Sequence, residues 1–314
     1  MFKEEFEAAA RAARVKSDLL KKKPFSYFLL SVLAGMFIGI GGLFAFSAGG
    51  QLAGAPATKI VMGASFGVAL SLVVFAGAEL FTGNNFCMTA GLLRKTIKLS
   101  DAIKLWIVCW IGNLTGGIIL SALYTLTGLG NGAVGEFMAA GALAKISAGF
   151  IPLLTRGILC NFLVCLAVWC GFRCKSESGK LIMIFWCLIA FFTAGFEHCI
   201  ANMTILTAAF FNPSGYDISL NGSIWNLGVV TLGNMIGGIV FLALPYGIIS
   251  NKKYAARLRQ HIFYLNKIFS SNDYFLISND SPVISAGFSS PMHSISVGTI
   301  SQSLPFSLSV YAGS

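Results

Sequence analysis

Residues 76–84 read A-G-A-E-L-F-T-G-N, and residues 194–202 read A-G-F-E-H-C-I-A-N. Both fit A-G-x-E-x-x-x-x-N, and both lie inside long apolar stretches, with Glu79 and Glu197 in equivalent places. A carboxylate at membrane depth is expensive and marks a functional site. A second echo follows each copy: I-G-N-L-T-G-G at 111–117 and L-G-N-M-I-G-G at 232–238. The two echoes divide the chain into related halves. Gly-interrupted apolar segments in corresponding positions of two halves point to a transport site between them.

Composition agrees with a membrane setting. Of 314 residues, 56% are hydrophobic and 11% charged, and the mean hydropathy is +0.77. Soluble domains carry roughly a quarter charged residues. Nearly charge-free runs cover about 25–50, 60–93, 105–127, 157–172, 181–211 and 222–249. A spanning helix needs roughly 20 apolar residues. The expectation is an all-α polytopic membrane protein of six transmembrane helices, three per half. An odd number of spans per half turns the second half over, so the predicted architecture is a 3+3 inverted repeat.

The net charge of +10 does not indicate nucleic acid, because the basic residues are sorted by segment. With both termini inside, only Lys59, Lys145 and Arg156 of the 22 Lys and Arg fall in outer segments or span ends. The positive-inside rule then predicts an integral protein of the cell membrane with both termini cytoplasmic, and anionic lipid as the partner of its basic face. No cleavable signal pattern is expected, since residues 2–23 are too polar for a signal core. The eight cysteines read as small packing residues. Cys170 and Cys174 have no second pair with His to complete a metal set, so neither metal nor cofactor is expected.

Three segments follow. Residues 1–24 are read as a cytoplasmic amphipathic segment, with Phe2, Phe6, Ala9, Ala10 and Ala13 near helical spacing and suited to a membrane interface. Residues 25–250 are the transmembrane domain. Residues 251–314 are first basic and then, from 270, hold 14 serines and no Lys or Arg; they are expected to form a disordered cytoplasmic tail.

Spans two and five are predicted to be broken. In span two, Leu80 is followed by Phe81, Thr82, Gly83, Asn84 and Asn85, a run of poor helix formers. In span five, Gly195 precedes Glu197 and His198. Broken backbone at membrane depth is tolerated only where it is buried in protein or lines a cavity, and half-helix N-termini favour anions. A path lined by Leu, Phe, one Thr and one His suits a small monovalent anion better than a cation.

F-A-G-A-E-L-F-T-G-N (75–84), G-I-L-C-N-F-L-V-C-L-A (157–167) and G-F-E-H-C-I-A-N-M (195–203) resemble the signature segments of the formate–nitrite transporter family. The resemblance covers about residues 1–250. It implies an aquaporin-like protomer in a homopentamer, one pore per subunit, with a central histidine between two hydrophobic constrictions. Carried over by motif position, His198 is that histidine and Thr82 its partner. Phe66, Leu70, Leu80, Phe81 and Phe191 are constriction residues. Lys145 and Lys16 attract anions at the outer and inner mouths. Asn84, Asn161 and Asn202 are structural at the helix breaks, Asn161 and Asn202 by satisfying broken backbone, and Glu79 and Glu197 are expected to accept hydrogen bonds from freed backbone amides.

The implied function is a pH-dependent channel for small weak-acid anions such as formate, nitrite or hydrosulfide, whose partners are that anion, a proton and the bilayer. Desolvation raises the anion's basicity, so it crosses as the protonated species, with the proton coming from water or through His198. Two other readings stand beside it. Gly63-Ala64-Ser65-Phe66-Gly67 fits the G-x-S-x-G of a serine hydrolase, with His198 as base. A water or glycerol channel of aquaporin type would need two N-P-A motifs, and the chain offers only Asn212-Pro213-Ser214. A non-transporting sensor is the remaining possibility.

Overall fold

The computed structural model describes residues 2–251, and all regular structure among them is helical. The Ser-rich tail lies outside the described residues. The helices are α1 (Lys3–Lys22), α2 (Pro24–Gln51), α3 (Thr58–Phe66), α4 (Val68–Ala76), α5 (Phe81–Leu93) and α6 (Leu99–Leu126). They continue as α7 (Ala133–Ile146), α8 (Phe150–Arg173), α9 (Glu177–Thr193), α10 (Cys199–Phe211) and α11 (Leu220–Ile236), then a π-helical stretch (Gly237–Ala243) and α12 (Leu244–Ile249).

Among the described residues, five helices are long and apolar enough to cross a membrane: Pro24–Gln51, Thr58–Ala76, Leu99–Leu126, Phe150–Arg173 and Leu220–Ile249. The apolar run 181–211 is instead divided between α9 and α10, and α10 has only 13 residues. A matching short helix, α5, follows α4.

The interruption in the second apolar run falls earlier than its sequence suggests. Gly77 ends α4 with φ 77°, and the chain is extended at Leu80. Thr82, Gly83, Asn84 and Asn85 are then helical, in the first turns of α5. Poor intrinsic propensity is overridden because all four are buried against neighbouring helices, where packing decides. Gly195, with φ 78°, plays the part of Gly77 between α9 and α10. A left-handed φ carries no steric cost for glycine.

Two close helix pairs frame these breaks. A Cβ at Gly35 would run into the Asn113 backbone, and one at Gly116 into that of Val32, so α2 and α6 touch backbone to backbone. Gly157, Gly233 and Gly237 bring α8 against α11 and the π-helical stretch in the same way. Small residues permit such approach, and it sets the echoed asparagines, Asn113 and Asn234, beside the breaks.

One other expectation changes. The apolar face of α1 packs on protein, not on a lipid interface: Phe6, Ala9, Ala10 and Ala13 are buried. Phe6 meets the Phe86 ring at 6.1 Å, and the Arg94 guanidinium lies over Phe6. Arg173 pairs with Glu5 at 2.5 Å, and Lys21 with Asp101 at 2.8 Å. The segment between α6 and α8 holds one further helix, α7.

Candidate functional site

Each break is capped from the neighbouring long helix. The Phe81 N–H, first in α5, donates to Asn113 Oδ1 at 3.0 Å. The Cys199 N–H, first in α10, donates to Asn234 Oδ1 at 2.9 Å. Each asparagine donates from Nδ2 to the carbonyl of the break glutamate: Asn113 to Glu79 O at 3.0 Å and Asn234 to Glu197 O at 2.9 Å. Each also donates to the facing helix, Asn113 to Ser31 O at 2.7 Å and Asn234 to Gly157 O at 2.8 Å. The glutamate N–H groups are matched too, Glu79 to Leu30 O and Glu197 to Arg156 O. Buried backbone groups must be paired, and at each break one side chain pairs both the first helical N–H and the glutamate carbonyl.

The glutamate side chains therefore do not serve the freed amides. Glu79 Oε1 accepts from Lys16 Nζ at 2.6 Å, and its Oε2 accepts from Asn84 Nδ2 at 2.9 Å and Tyr27 OH at 3.2 Å. Glu197 Oε2 accepts from Lys145 Nζ at 2.8 Å and Asn202 Nδ2 at 2.6 Å. Asn202 Nδ2 also donates to Asn226 Oδ1, and Asn226 to Lys145 O. Asn84 and Asn202 thus bind carboxylates, not broken backbone. Asn161 does bond backbone, donating to Asn234 O at 2.6 Å and Thr82 O at 3.3 Å. Burial is the largest single influence on the Lys16 ammonium and opposes it, but the charge and hydrogen bond of Glu79, with Cys87 and Cys109 nearby, together hold the Lys16 pKa above lysine's ordinary value.

Both lysines are thus one half of a closed ion pair. Removing one member of a buried pair leaves an uncompensated charge, at a cost of about 3–5 kcal/mol. Glu197 is 4% exposed. Lys145→Met is expected to lower thermal stability in detergent by that order, and Lys145→Met/Glu197→Gln to recover most of the loss. A thermal-shift comparison of the two variants checks this.

Between the breaks, His198 Nε2 lies 3.0 Å from Thr82 Oγ1. His198 is also the N-cap of α10, its Nδ1 accepting the Ala201 N–H at 3.1 Å. An accepting Nδ1 leaves the ring proton on Nε2, which donates to Thr82 Oγ1 and frees the threonine hydroxyl hydrogen for another acceptor. His198 and Thr82 are 3% and 0% exposed. The Phe191 ring stacks on His198 at 6.0 Å and meets Phe66 edge-on at 5.6 Å. Leu70, Leu80 and Phe81 are buried in the same core. Both ring nitrogens of His198 are engaged, and Ser65 lies within α3, not at a strand-to-helix turn, so no serine–histidine pair forms.

A cavity of about 620 Å³ opens beside this group. His198, Phe191, Glu197 and Asn202 line it, with Lys145, Lys59 and Arg156. The sequence reading missed Asn113 and Asn234 as caps, though the repeated G-N in the second echo was their signal. Tyr27 and Asn226, which complete the carboxylate networks, carried no signal because neither belongs to a repeated motif.

Comparison with known proteins bears on this geometry. The profile of the formate/nitrite transporter family matches residues 3–248. The nitrite transporter NirC of Salmonella typhimurium is 38% identical over 245 residues, 76% of this chain and 88% of the relative. Among solved structures, an FNT family ion channel is 36% identical with a TM-score of 0.74, covering 77% of this chain and 97% of that one. A pentameric formate channel with formate bound is 32% identical with a TM-score of 0.64, covering 73% and 98%.

Proposed function

The chain belongs to the formate/nitrite transporter family, and we propose that it is a membrane channel for formate, nitrite or hydrosulfide, crossing as the protonated species. The observation that carries this reading is His198 in the lining of an open cavity, bonded to the buried Thr82 behind it and stacked on Phe191, which lines the same cavity. The pair offers one directed hydroxyl donor in a surround of aromatic and aliphatic side chains. That suits a small acid which has surrendered its charge.

Charge and burial decide the path. A bare anion at an apolar constriction faces a desolvation cost of several kcal/mol, while desolvation raises its basicity. Protonating His198 at Nδ1 would break its bond to the Ala201 N–H. The proton therefore comes from water in the vestibule, and His198 acts as a neutral donor through Thr82. Lys145 and Lys16, each paired with a break glutamate, keep both mouths from becoming acidic.

The matched caps and carboxylate networks support a 3+3 inverted repeat, with the two broken segments as spans two and five of six. The pentameric neighbour supports a homopentamer with a pore in each subunit. Basic residues gathered on one set of segments support cytoplasmic termini.

The test is uptake of formate, nitrite and hydrosulfide by proteoliposomes holding the full chain. Flux of at least one is expected to be faster at about pH 5 than at about pH 7, because acid supplies the neutral species. A folded, reconstituted protein that passes none of the three would overturn the proposal.

A further inference from the structure

The vestibule above His198 carries three cationic side chains, Lys59, Lys145 and Arg156, and one carboxylate, Glu197. Lys145 is bound to Glu197 at 2.8 Å with only 18% of its side chain exposed, so that pair presents little net charge to an arriving ion. Lys59 and Arg156 are both exposed, and neither makes an ion pair among the described residues. Glu136 and Asp217, acids of the segments joining the long helices, do not line the cavity.

Both residues are fixed to the broken segment that carries His198. The Thr193 hydroxyl, at the end of α9, donates to Lys59 O at 3.4 Å. The Glu197 N–H, inside the break, donates to Arg156 O at 3.3 Å. The chain just before Lys59 is tightened as well, since Thr58 Oγ1 donates to Ala55 O at 2.7 Å. Two cations without an ion-pair partner among the described residues therefore line one cavity with His198, and the backbone carbonyl of each is bonded to the segment that runs from α9 into the break. A cleft lined by one sign of charge focuses its field and raises the local concentration of counter-ions.

We propose that Lys59 and Arg156, not the ion-paired Lys145, form the anion-collecting rim of this vestibule and set how readily a monovalent anion reaches His198. The inference rests on the anion-channel reading above. The rim acts before the proton is taken up, on the charged form, and so sets apparent affinity on this face of the protein alone.

The experiment measures initial uptake against anion concentration for formate and nitrite, in proteoliposomes of defined protein orientation. Wild type, Lys59→Gln/Arg156→Gln and the charge-conserving Lys59→Arg/Arg156→Lys are compared. At an ionic strength of about 0.01 M, the glutamine variant is expected to raise KM roughly fivefold to tenfold when the anion is added on the vestibule side. At about 1 M, where the screening length is about 3 Å, the difference should close. The charge-conserving variant should restore the wild-type KM. Wild-type KM and salt dependence in the glutamine variant would overturn the inference while leaving the channel reading intact. So would equal impairment of both double variants, which would make the effect steric. Failure of the wild type to pass either anion at any salt would remove the rim's role in transport together with the formate and nitrite reading.

Discussion

Replacing His198 with phenylalanine is expected to reduce formate flux by about 100-fold, the largest functional effect of any single change in the site. Phenylalanine keeps an aromatic ring beside Phe191, which stacks on His198 at 6.0 Å, so the apolar wall survives. Two polar links do not. The Nε2 donor to Thr82 Oγ1 at 3.0 Å is lost, and the threonine hydroxyl then has no fixed orientation toward the permeant. A lost hydrogen bond in a dry site costs about 1–3 kcal/mol, and about 2.7 kcal/mol of barrier is 100-fold in rate. The second link is the cap. Losing an N-cap acceptor for the Ala201 N–H costs about 1 kcal/mol, too little to unfold the chain. His198→Asn separates the two links, because asparagine is a good N-cap but is too short to reproduce the ring's reach to Thr82. It should fold like wild type and still lose most of its flux. Proteoliposome uptake with thermal stability measured alongside checks both variants. Wild-type flux in His198→Phe would remove the histidine from the pathway.

The legible part of this molecule is what repetition and hydropathy encode. The two A-G-x-E-x-x-x-x-N segments pointed to two breaks, and a break lies at each. Periodicity could not locate the first within its segment. The Thr82–Asn85 run has turn composition, yet it is helical because burial and the Asn113 cap outweigh propensity. The true breaker is Gly77, whose φ of 77° is invisible in a stretch containing many glycines. Contacts between segments far apart in the chain were illegible for a different reason. Lys16 meets Glu79 from 63 positions away, and Tyr27 reaches the same carboxylate. Nothing local in either sequence specifies such a partner. The lysines could be singled out as cations near the mouths, but pairing by the glutamates changes what they offer an ion. The face of α1 shows the same limit. An amphipathic helix has the same pattern whether it lies on lipid or on protein, and only the positions of Phe86 and Arg94 decide between them.

The second large effect is on assembly, and it belongs to Asn234. Its side chain accepts the Cys199 N–H at 2.9 Å and donates to Gly157 O at 2.8 Å and Glu197 O at 2.9 Å. Asn234→Leu nearly preserves volume and leaves one N–H and one carbonyl, those of Cys199 and Glu197, unpaired in a fully buried position, since Gly157 O keeps its bond within α8. At about 1–3 kcal/mol for each of the two stranded groups, the loss is about 2–6 kcal/mol, a large share of a typical domain's stability. The expected result is a low yield of folded protein and a strongly lowered melting transition in detergent. Asn234→Asp restores the acceptor but neither donor, so it should recover only part of the loss. Asn113 makes the equivalent three bonds, to the Phe81 N–H, Ser31 O and Glu79 O. If the halves are built on one plan, Asn113→Leu must cost as much as Asn234→Leu. Unequal losses would mean that the matched geometry conceals unequal roles. In that case the His198 side of the site, where the Asn234-capped helix begins, would be the side that depends on its cap, since a displaced α10 moves the histidine and a displaced α5 moves Thr82.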